Sequence, residues 1–178
     1  MQFTQAEKKI LLEYSRRILI RAVQNGELVA EACANEKFLA KAGVFVSLHK
    51  NQELRGCIGY IEPIASIWDA ARENTVAAAR NDFRFPPVSV DELAKIKIEI
   101  SILTPPEECD LHDIEAGEDG VIVEQGAGKA TYLPQVWKSF ANKDDFFNSL
   151  CAKAGLDENC WKNRRTKFFR YRAIVFNE

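Results

Sequence analysis

The sequence has few of the side chains that most often carry catalysis, with only two histidines and one methionine in 178 residues. Cysteine occurs five times, but the number is odd and no pair has the CxxC spacing of redox or metal sites. We therefore predict a cytoplasmic protein whose cysteines are reduced and mostly buried. The five are Cys33, Cys57, Cys109, Cys151 and Cys160.

Long apolar runs and an excess of basic charge are also absent. No stretch of about 18 apolar residues occurs, so we predict no membrane span. Residues 1–7 do not combine a basic region with a following apolar core, so we predict no signal peptide. The net charge of −2 disfavours a general nucleic-acid binder, because such proteins more often have a basic balance.

Length and composition fit one globular domain. Hydrophobic residues make up 47% of the chain and charged residues 28%, which is ordinary for a globular protein. A chain of this length buries roughly 70% of its unfolded surface, which is enough for an independent core. We predict a single domain over residues 1–178, with room for a larger and a smaller lobe.

Helical signals open the chain and recur later. Thr4 and Glu7 form a capping-box pattern ahead of apolar residues at helical spacing, which predicts a first helix. Asn25 and Gly26 are its predicted end, since glycine commonly follows the last turn of a helix. The predicted helices cover residues 5–24, 67–80 and 144–153.

Alternating apolar residues predict a largely antiparallel sheet. Isoleucine alternates with polar residues over 96–102, which is the cleanest period-two pattern in the chain. Hairpins mixed with helices, without regular strand–helix alternation, indicate an α+β fold with a mostly antiparallel sheet and flanking helices. The predicted strands cover residues 43–48, 54–60, 96–102, 121–123, 130–133 and 168–176, and residues 104–117 are predicted to form a loop.

The strongest functional signal lies in residues 54–60, which read LRGCIGY. Their surroundings predict a strand, yet glycine weakens a strand and usually marks a bulge or a close approach of backbone or ligand. Two glycines around one cysteine leave room beside the sulfur. Cys57 is therefore the best candidate for chemistry in this chain.

This segment and several later ones resemble the AMMECR domain family, also called protein A of the AmmeMemoRadiSam system. The matching segments occur in the family's order and cover nearly the whole chain. The resemblance implies an α+β fold of two intertwined lobes, and it implies company with radical-SAM and Memo-like proteins. The later segments are DFRFPPV (82–88), KIEISILTPP (97–106), GVIV (120–123), LPQV (133–136) and KFFRYRA (167–173).

In a regular strand, Arg55, Cys57 and Gly59 point to one face. A guanidinium beside a thiol favours the reactive thiolate, and Gly59 leaves a gap in which a ligand could lie. We therefore predict Cys57 as a nucleophile or redox thiol, with Arg55 as its activator or as the anchor of a small anionic ligand. The alternative is an inert, buried Cys57 with Arg55 paired to a structural carboxylate.

Gly56, Gly59, Asp82 and Arg84 are the candidate ligand-binding residues. Asp82 and Arg84 belong to a stiff loop and are predicted to border a cleft opposite the LRGCIGY strand. The alternative for Arg84 is a cap on a helix C-terminus. Glu99 either faces the same cleft or belongs to a solvated sheet face.

Bases, metals and cofactors have little support. His49 is predicted nearer to the hairpin turn than to Cys57, and His112 falls in the long loop. Cys109 and His112 supply only half of a zinc site, so we predict no metal. We also predict no cofactor, because the CxxxCxxC motif of an iron–sulfur centre is missing and radical chemistry would belong to a partner.

Two functions from different classes remain open. In the first, the chain is an enzyme or enzyme component of a radical-SAM/Memo-associated modification pathway and uses a cleft around Arg55 and Cys57. In the second, it is a non-catalytic binding or adaptor module for a protein. Nucleic acid is a less favoured partner, because the net charge is negative. The feature in its favour is the mixture of arginines and aromatic residues at 161–172.

Overall fold

Two four-stranded sheets organise the chain, in a computed structural model that describes residues 2–24, 31–33 and 35–178. The chain divides into two compact units, one of Met1–Leu103 with Ile174–Glu178 and one of Thr104–Ala173. The predicted α+β class, with antiparallel strands and flanking helices, is confirmed. Among the described helices, none has both the length and the apolar character that crossing a membrane requires.

The first unit packs two helices on one face of its sheet. The strand order is β2-β1-β3-β8, and the last of these strands enters the unit at Ile174. Helix α2 packs on β1 and β2, whereas helix α1 packs on α2 and β3. The elements are α1 (Gln5–Gln24), β1 (Val44–Lys50), β2 (Glu53–Tyr60), α2 (Ile67–Arg80), β3 (Ile96–Leu103) and β8 (Ala173–Asn177).

Helix α1 begins where the sequence predicts. The Glu7 N–H donates a hydrogen bond to Thr4 Oγ1 (3.2 Å), and the Thr4 N–H donates to the Glu7 carboxylate (2.7 Å), so the capping box is formed. The helix extends to Gln24. Its predicted end at Asn25 and Gly26 lies outside the described residues.

The core of the first unit follows the period-two pattern of the strands. Val44, Val46 and Leu48 of β1 are buried, and the isoleucines of β3 are buried beside them. The indole of Trp68 stacks on the ring of Tyr14, with the ring centroids 3.5 Å apart, and joins α2 to α1. The alternation therefore assigns one sheet face to the helices and leaves the other face to the polar residues between.

The second unit has its own sheet and aromatic core. Its strand order is β4-β7-β5-β6, and Phe146, Phe147 and Phe168 lie in the core with Trp137. The elements are β4 (Glu107–Cys109), β5 (Gly120–Gln125), β6 (Gly128–Tyr132), α3 (Lys143–Lys153) and β7 (Lys167–Tyr171). The predicted hairpin around residues 126–128 is confirmed, since β5 and β6 pair across it.

Two strand predictions are wrong. Residues 168–176 form β7 and β8 rather than one strand, and these belong to different sheets. Between them, the Arg172 N–H donates to Thr104 Oγ1 and the Arg172 guanidinium pairs with Glu115, which holds the chain where it leaves β7. Residues 104–117 are not all loop, because β4 pairs with β7 there. A polar three-residue strand has too little alternation to be recognised.

The prediction that all five cysteines are reduced is wrong for one pair. Cys151 of α3 and Cys160 form a buried disulfide, with Cα atoms 5.9 Å apart. The folding of residues between them supplies this proximity, which spacing alone does not reveal. Such a short closed loop stabilises the fold by about 2–3 kcal/mol in the chain-entropy view. The free cysteines Cys33, Cys57 and Cys109 are half-buried rather than buried.

Gly56 allows helix α2 to approach β2. A Cβ atom at Gly56 would overlap the carbonyl oxygen of Ala78 in that helix. Backbone cannot yield as the end of a flexible side chain can. The glycine therefore sets the distance between the helix and the strand that carries Cys57.

We predict that Gly56→Ala lowers the free energy of unfolding by more than about 2 kcal/mol, because the helix and strand must move apart. Urea denaturation of the full chain measures the loss. Gly117→Ala is the control: Gly117 has a φ of 89° and open space around its Cβ position, so we expect only a strain cost of about 1 kcal/mol. Equal losses in the two variants would contradict the packing explanation.

Candidate functional site

Cys57 lies in the middle of β2, at the edge of the first sheet. Its residue is half-buried, and its thiol is free. The hydroxyl of Ser47, on the neighbouring strand β1, donates a hydrogen bond to the Cys57 sulfur over 3.3 Å. The sulfur therefore has a defined position on the sheet face opposite the one that Gly56 presents to α2.

The backbone of Cys57 is held by two side chains from the loop that follows α2. The Cys57 N–H donates to Asp82 Oδ2 (2.8 Å), and Arg84 Nη2 donates to the Cys57 carbonyl oxygen (3.1 Å). Arg84 also binds Asp82 through Nε and Nη2, at 2.9 and 2.7 Å. Because β2 is an edge strand, this carboxylate–guanidinium pair occupies the peptide groups that a further strand would otherwise use.

The charges of this pair are strongly coupled. The Arg84 guanidinium, with help from the Cys57 N–H, holds the pKa of the Asp82 carboxyl well below its usual range despite burial of that group. Asp82 in turn is the main cause that raises the pKa of Arg84, and the Cys57 thiol contributes to the same rise. Arg84 is thus a cation held at the Cys57 residue.

Arg55 is engaged elsewhere. Its Nε donates to Glu92 Oε1 (2.9 Å) and its Nη1 to the Pro86 carbonyl oxygen (2.8 Å), while Lys50 Nζ lies 2.9 Å from the same Glu92 oxygen. The Arg55 guanidinium holds the pKa of the Glu92 carboxyl well below its usual range. This is the structural carboxylate pairing that the sequence left as the alternative for Arg55.

A break in strand register explains why Arg55 and the thiol do not share a face. Leu48 pairs with Gly56, but the next residue, His49, pairs with Leu54. Arg55 is the extra residue of β2 at this irregularity, and such a bulge interrupts the alternation of side chains. The expectation of a regular strand is therefore corrected here. The same register places His49 nearer to the turn than to the cysteine, as predicted.

The space beside the two glycines of the motif is filled by the protein itself. A Cβ at Gly59 would overlap the ring of Phe45, and the position beside Gly56 holds the Ala78 carbonyl group. The expected ligand gap at Gly59 is therefore occupied. Both glycines serve packing around the strand, whereas Asp82 and Arg84 contact Cys57 directly.

Other predicted residues lie away from this site. Asp110, His112 and Asp113 have ligand atoms within 4.8 Å of one another, but all three are exposed and a structural zinc site needs four ligands. The prediction of no metal stays a prediction. Phe168 and Tyr171 of β7 are buried, Phe169 is half-buried, and Arg170 donates to the Asp113 carbonyl group.

Comparison with known proteins identifies the family. A family model described as AMMECR1 matches residues 12–176. The chain belongs to the AMMECR1 family. Protein MJ0810 of Methanocaldococcus jannaschii is 36% identical over 185 residues, which cover 98% of this chain and 92% of that protein. A protein of Methanothermobacter thermautotrophicus is 41% identical over 149 residues, which cover 79% of this chain and 78% of that protein. The family resemblance seen in the sequence is confirmed.

A solved structure of the AMMECR1 fold agrees with this assignment. The crystal structure of uncharacterized protein PH0010 from Pyrococcus horikoshii superposes with a TM-score of 0.87 at 32% sequence identity. The match covers 95% of this chain and 90% of that chain.

Sequence reasoning missed two residues of this AMMECR1-family site. Ser47 was part of an ordinary predicted strand, and only the pairing of β1 with β2 brings its hydroxyl to Cys57. Glu92 accepts a hydrogen bond from the Ser89 N–H and also binds Arg55, and its pairing with Arg55 was not predicted. Neither contact has a local signal, because each depends on strand register or loop position.

We predict that Asp82→Asn lowers the free energy of unfolding at pH 7 by about 1–3 kcal/mol, because Arg84 loses its charged acceptor. The depressed pKa of Asp82 contributes stability above about pH 4, the ordinary carboxyl range, and that contribution is lost as the pH falls below it. The difference in the free energy of unfolding between the variant and the parent should therefore be smaller at pH 3 than at pH 7. Urea unfolding at both pH values measures it.

Asp91→Asn is the matched control, since Asp91 is an exposed carboxylate in the following 3-10 helix Val90–Lys95. We expect a small change at either pH. If the loss of unfolding free energy in Asp82→Asn were the same at pH 7 and pH 3, the proposed coupling between Asp82 ionisation and stability would be contradicted.

Proposed function

We propose that this AMMECR1-family chain is a thiol-dependent component of a modification pathway that includes radical-SAM and Memo-like proteins. Cys57 is the reactive group in this proposal, and Arg84 is the adjoining cation that favours the thiolate and binds a small anionic ligand. The observation that carries the proposal is the hydrogen bond that Arg84 donates to the Cys57 carbonyl group, which holds a guanidinium at the residue that bears the thiol.

The burial of the two arginines supports this division of roles. The Arg84 side chain is 46% exposed, whereas the Arg55 side chain is 12% exposed and bound to Glu92. A ligand can therefore reach Arg84 without breaking an existing buried pair. Asp82 fixes the orientation of Arg84, and Arg55 fixes the loop that carries both residues.

We predict that iodoacetamide modifies Cys57 faster than Cys109 in the native chain at pH 7. Cys109 is also free and half-buried, and burial raises the pKa of its thiol. Arg84→Gln should slow the modification of Cys57 about tenfold at pH 7, because the variant loses the positive charge held at this residue. Mass spectrometry of timed digests gives the rate at each cysteine.

Arg55→Gln is the matched control. It also removes one guanidinium from the LRGCIGY region, but the Arg55 guanidinium makes no hydrogen bond to Cys57. We expect the Cys57 rate to fall less in that variant than in Arg84→Gln, because Asp82 still holds Arg84 on the Cys57 peptide, although the free energy of unfolding falls because Glu92 loses a partner. Equal slowing by Arg55→Gln and Arg84→Gln would argue against Arg84 as the activating cation. A native Cys57 no faster than Cys109 would favour a non-catalytic function.

A second candidate function, the binding or adaptor module, is favoured by one separate observation. Phe83 is 95% exposed, although it lies between Asp82 and Arg84, which are both fixed on β2. An aromatic side chain held in water on an anchored loop has little ordering entropy to lose on binding. Phe83 would then be the anchor for a partner protein.

We predict that Phe83→Ser weakens binding to a purified Memo-like or radical-SAM partner from the same organism by about tenfold or more, the effect expected for an interface anchor. Isothermal titration calorimetry measures the dissociation constant. Ile64→Ser is the control, because Ile64 is another exposed apolar side chain, at 64%. Equal weakening by both variants, or no binding by the parent chain, would contradict the adaptor proposal.

A further inference from the structure

A polar cavity lies on the second unit. Its volume is about 380 Å³, which falls in the range of about 300–1,000 Å³ that is typical of small-molecule sites. All of its lining residues belong to the second unit, and none of them takes part in the proposed function. The charged side chains among them are Glu107, Glu115, Asp119, Arg170 and Arg172.

Three of these charged groups bind one another. The Arg172 Nη2 atom lies 2.7 Å from a Glu115 carboxylate oxygen, and its Nε atom lies 3.4 Å from Asp119 Oδ1. Asp119 and then Glu115 are the main causes that raise the pKa of Arg172. The Asp119 side chain is only 2% exposed, so these three residues form a wall of the cavity.

Further hydrogen bonds fix this wall. The Glu115 N–H donates to Asp119 Oδ2 (2.9 Å), and the Asp119 N–H donates to the Glu115 carbonyl oxygen (3.0 Å). The Asp119 carbonyl oxygen also accepts a hydrogen bond from Nε1 of Trp137 (2.8 Å), which lies in the core of this unit. A wall that is fixed before binding loses little conformational entropy when a ligand enters.

Arg170 is the cation of the cavity that is not used in this wall. The residue is half-buried, and its Nη1 atom donates to the Asp113 carbonyl oxygen (2.8 Å), which is a neutral acceptor. Within the described part of the chain, no carboxylate forms an ion pair with Arg170. A guanidinium has five N–H donors in a planar fork that matches a carboxylate, so Arg170 keeps donors for a bound anion.

Glu107 is a group of opposite charge on the same cavity. It is exposed on β4, and the register places it directly opposite Arg170 of β7. Side chains in such positions have Cβ atoms about 5 Å apart, which is close enough for an ion pair between long side chains. Among the residues that the structure describes, however, Glu107 forms no ion pair with Arg170 or with any other cation. A carboxylate and a guanidinium therefore border one cavity without neutralising each other.

The charges around the cavity determine which ligand it suits. A simple anion would be attracted to Arg170, but the carboxylates of Glu107, Glu115 and Asp119 would repel it. A simple cation would be attracted to Glu107, but Arg170 would repel it and would stay without an anion. A small molecule that has both charges matches both groups at once.

We propose that this cavity binds a small zwitterion of the α-amino acid type, with its carboxylate on Arg170 and its ammonium group on Glu107. The fork of Arg170 can donate to both carboxylate oxygens, and the Glu107 carboxylate accepts from the ammonium group. No covalent bond is made or broken. The inference does not depend on the proposed function, because it involves no residue of the Cys57 site.

The test is a titration of the ¹⁵N-labelled full chain with each of the protein amino acids in turn, followed by two-dimensional NMR of the backbone N–H groups. We expect at least one amino acid to bind with a Kd of about 1 mM or below. The shifted signals should centre on residues 104–107, 115–119 and 170–172. Acetate and ethylamine have one charge each, and we expect them to bind about tenfold more weakly or not at all, because each leaves one charged group unmatched.

Variants of the two binding groups locate the site. Arg170→Gln and Glu107→Gln should each weaken amino-acid binding by about tenfold or more, because each removes one charge-assisted contact. Arg164→Gln and Glu108→Gln are the matched controls. Arg164 is an exposed arginine of the same unit, and Glu108 follows Glu107 on β4, but neither lines the cavity. We expect both controls to change the Kd by less than about twofold, as is usual for surface substitutions.

Several results would overturn the inference. Binding of no amino acid, or a Kd that Glu107→Gln leaves unchanged, would exclude the zwitterion site, and the Glu107 result decides even if Arg170→Gln fails to fold. Acetate that binds as tightly as the amino acid would show an anion site, and ethylamine that does so would show a cation site. Circular dichroism checks that each variant is folded. Because Cys57 alkylation does not depend on this cavity, failure here leaves the proposed function unchanged.

Discussion

The carboxylate–guanidinium pair of Asp82 and Arg84 on the Cys57 peptide is the contact on which the site depends. Edge strands expose N–H and C=O groups that must find partners, and unpaired edges invite the addition of another strand. In this chain two side chains provide those partners at the position of the thiol. The same contacts that close the sheet edge therefore also fix the backbone from which the sulfur projects.

The register break at Arg55 gives Arg55 and Arg84 different binding partners. In a regular strand Arg55 would stand beside the sulfur, but the register break directs it to Glu92 and to the loop carbonyl groups. That pairing anchors the loop which carries Arg84 back to the strand. The exposed guanidinium of Arg84 binds the Cys57 carbonyl group from a loop that the buried guanidinium of Arg55 also contacts, so the two basic residues belong to one arrangement.

Sequence patterns predicted the features that depend on interactions between neighbouring residues. The capping box at Thr4 and the alternation along β3 each depend on a few neighbouring residues, and such patterns predicted the α+β class. The Arg55 register break, the Cys151 disulfide and the sheet change at Arg172 depend on which distant segments meet. The motif predicted Arg55 as the cation beside Cys57, whereas Arg84 binds the Cys57 peptide and Arg55 binds Glu92, because the position of each cation depends on tertiary contacts.

A comparison of Cys57 with Cys109 tests the view that Cys57 is merely a small apolar residue. Such a cysteine should lie among carbon atoms that disfavour its charged form, and Cys109 fits that description, since burial raises the pKa of its thiol. Cys57 instead receives a hydroxyl hydrogen bond, lies near a guanidinium and has its peptide fixed on both polar atoms. These contacts constrain the position of Cys57, and none of them is needed to fill space with a thiol.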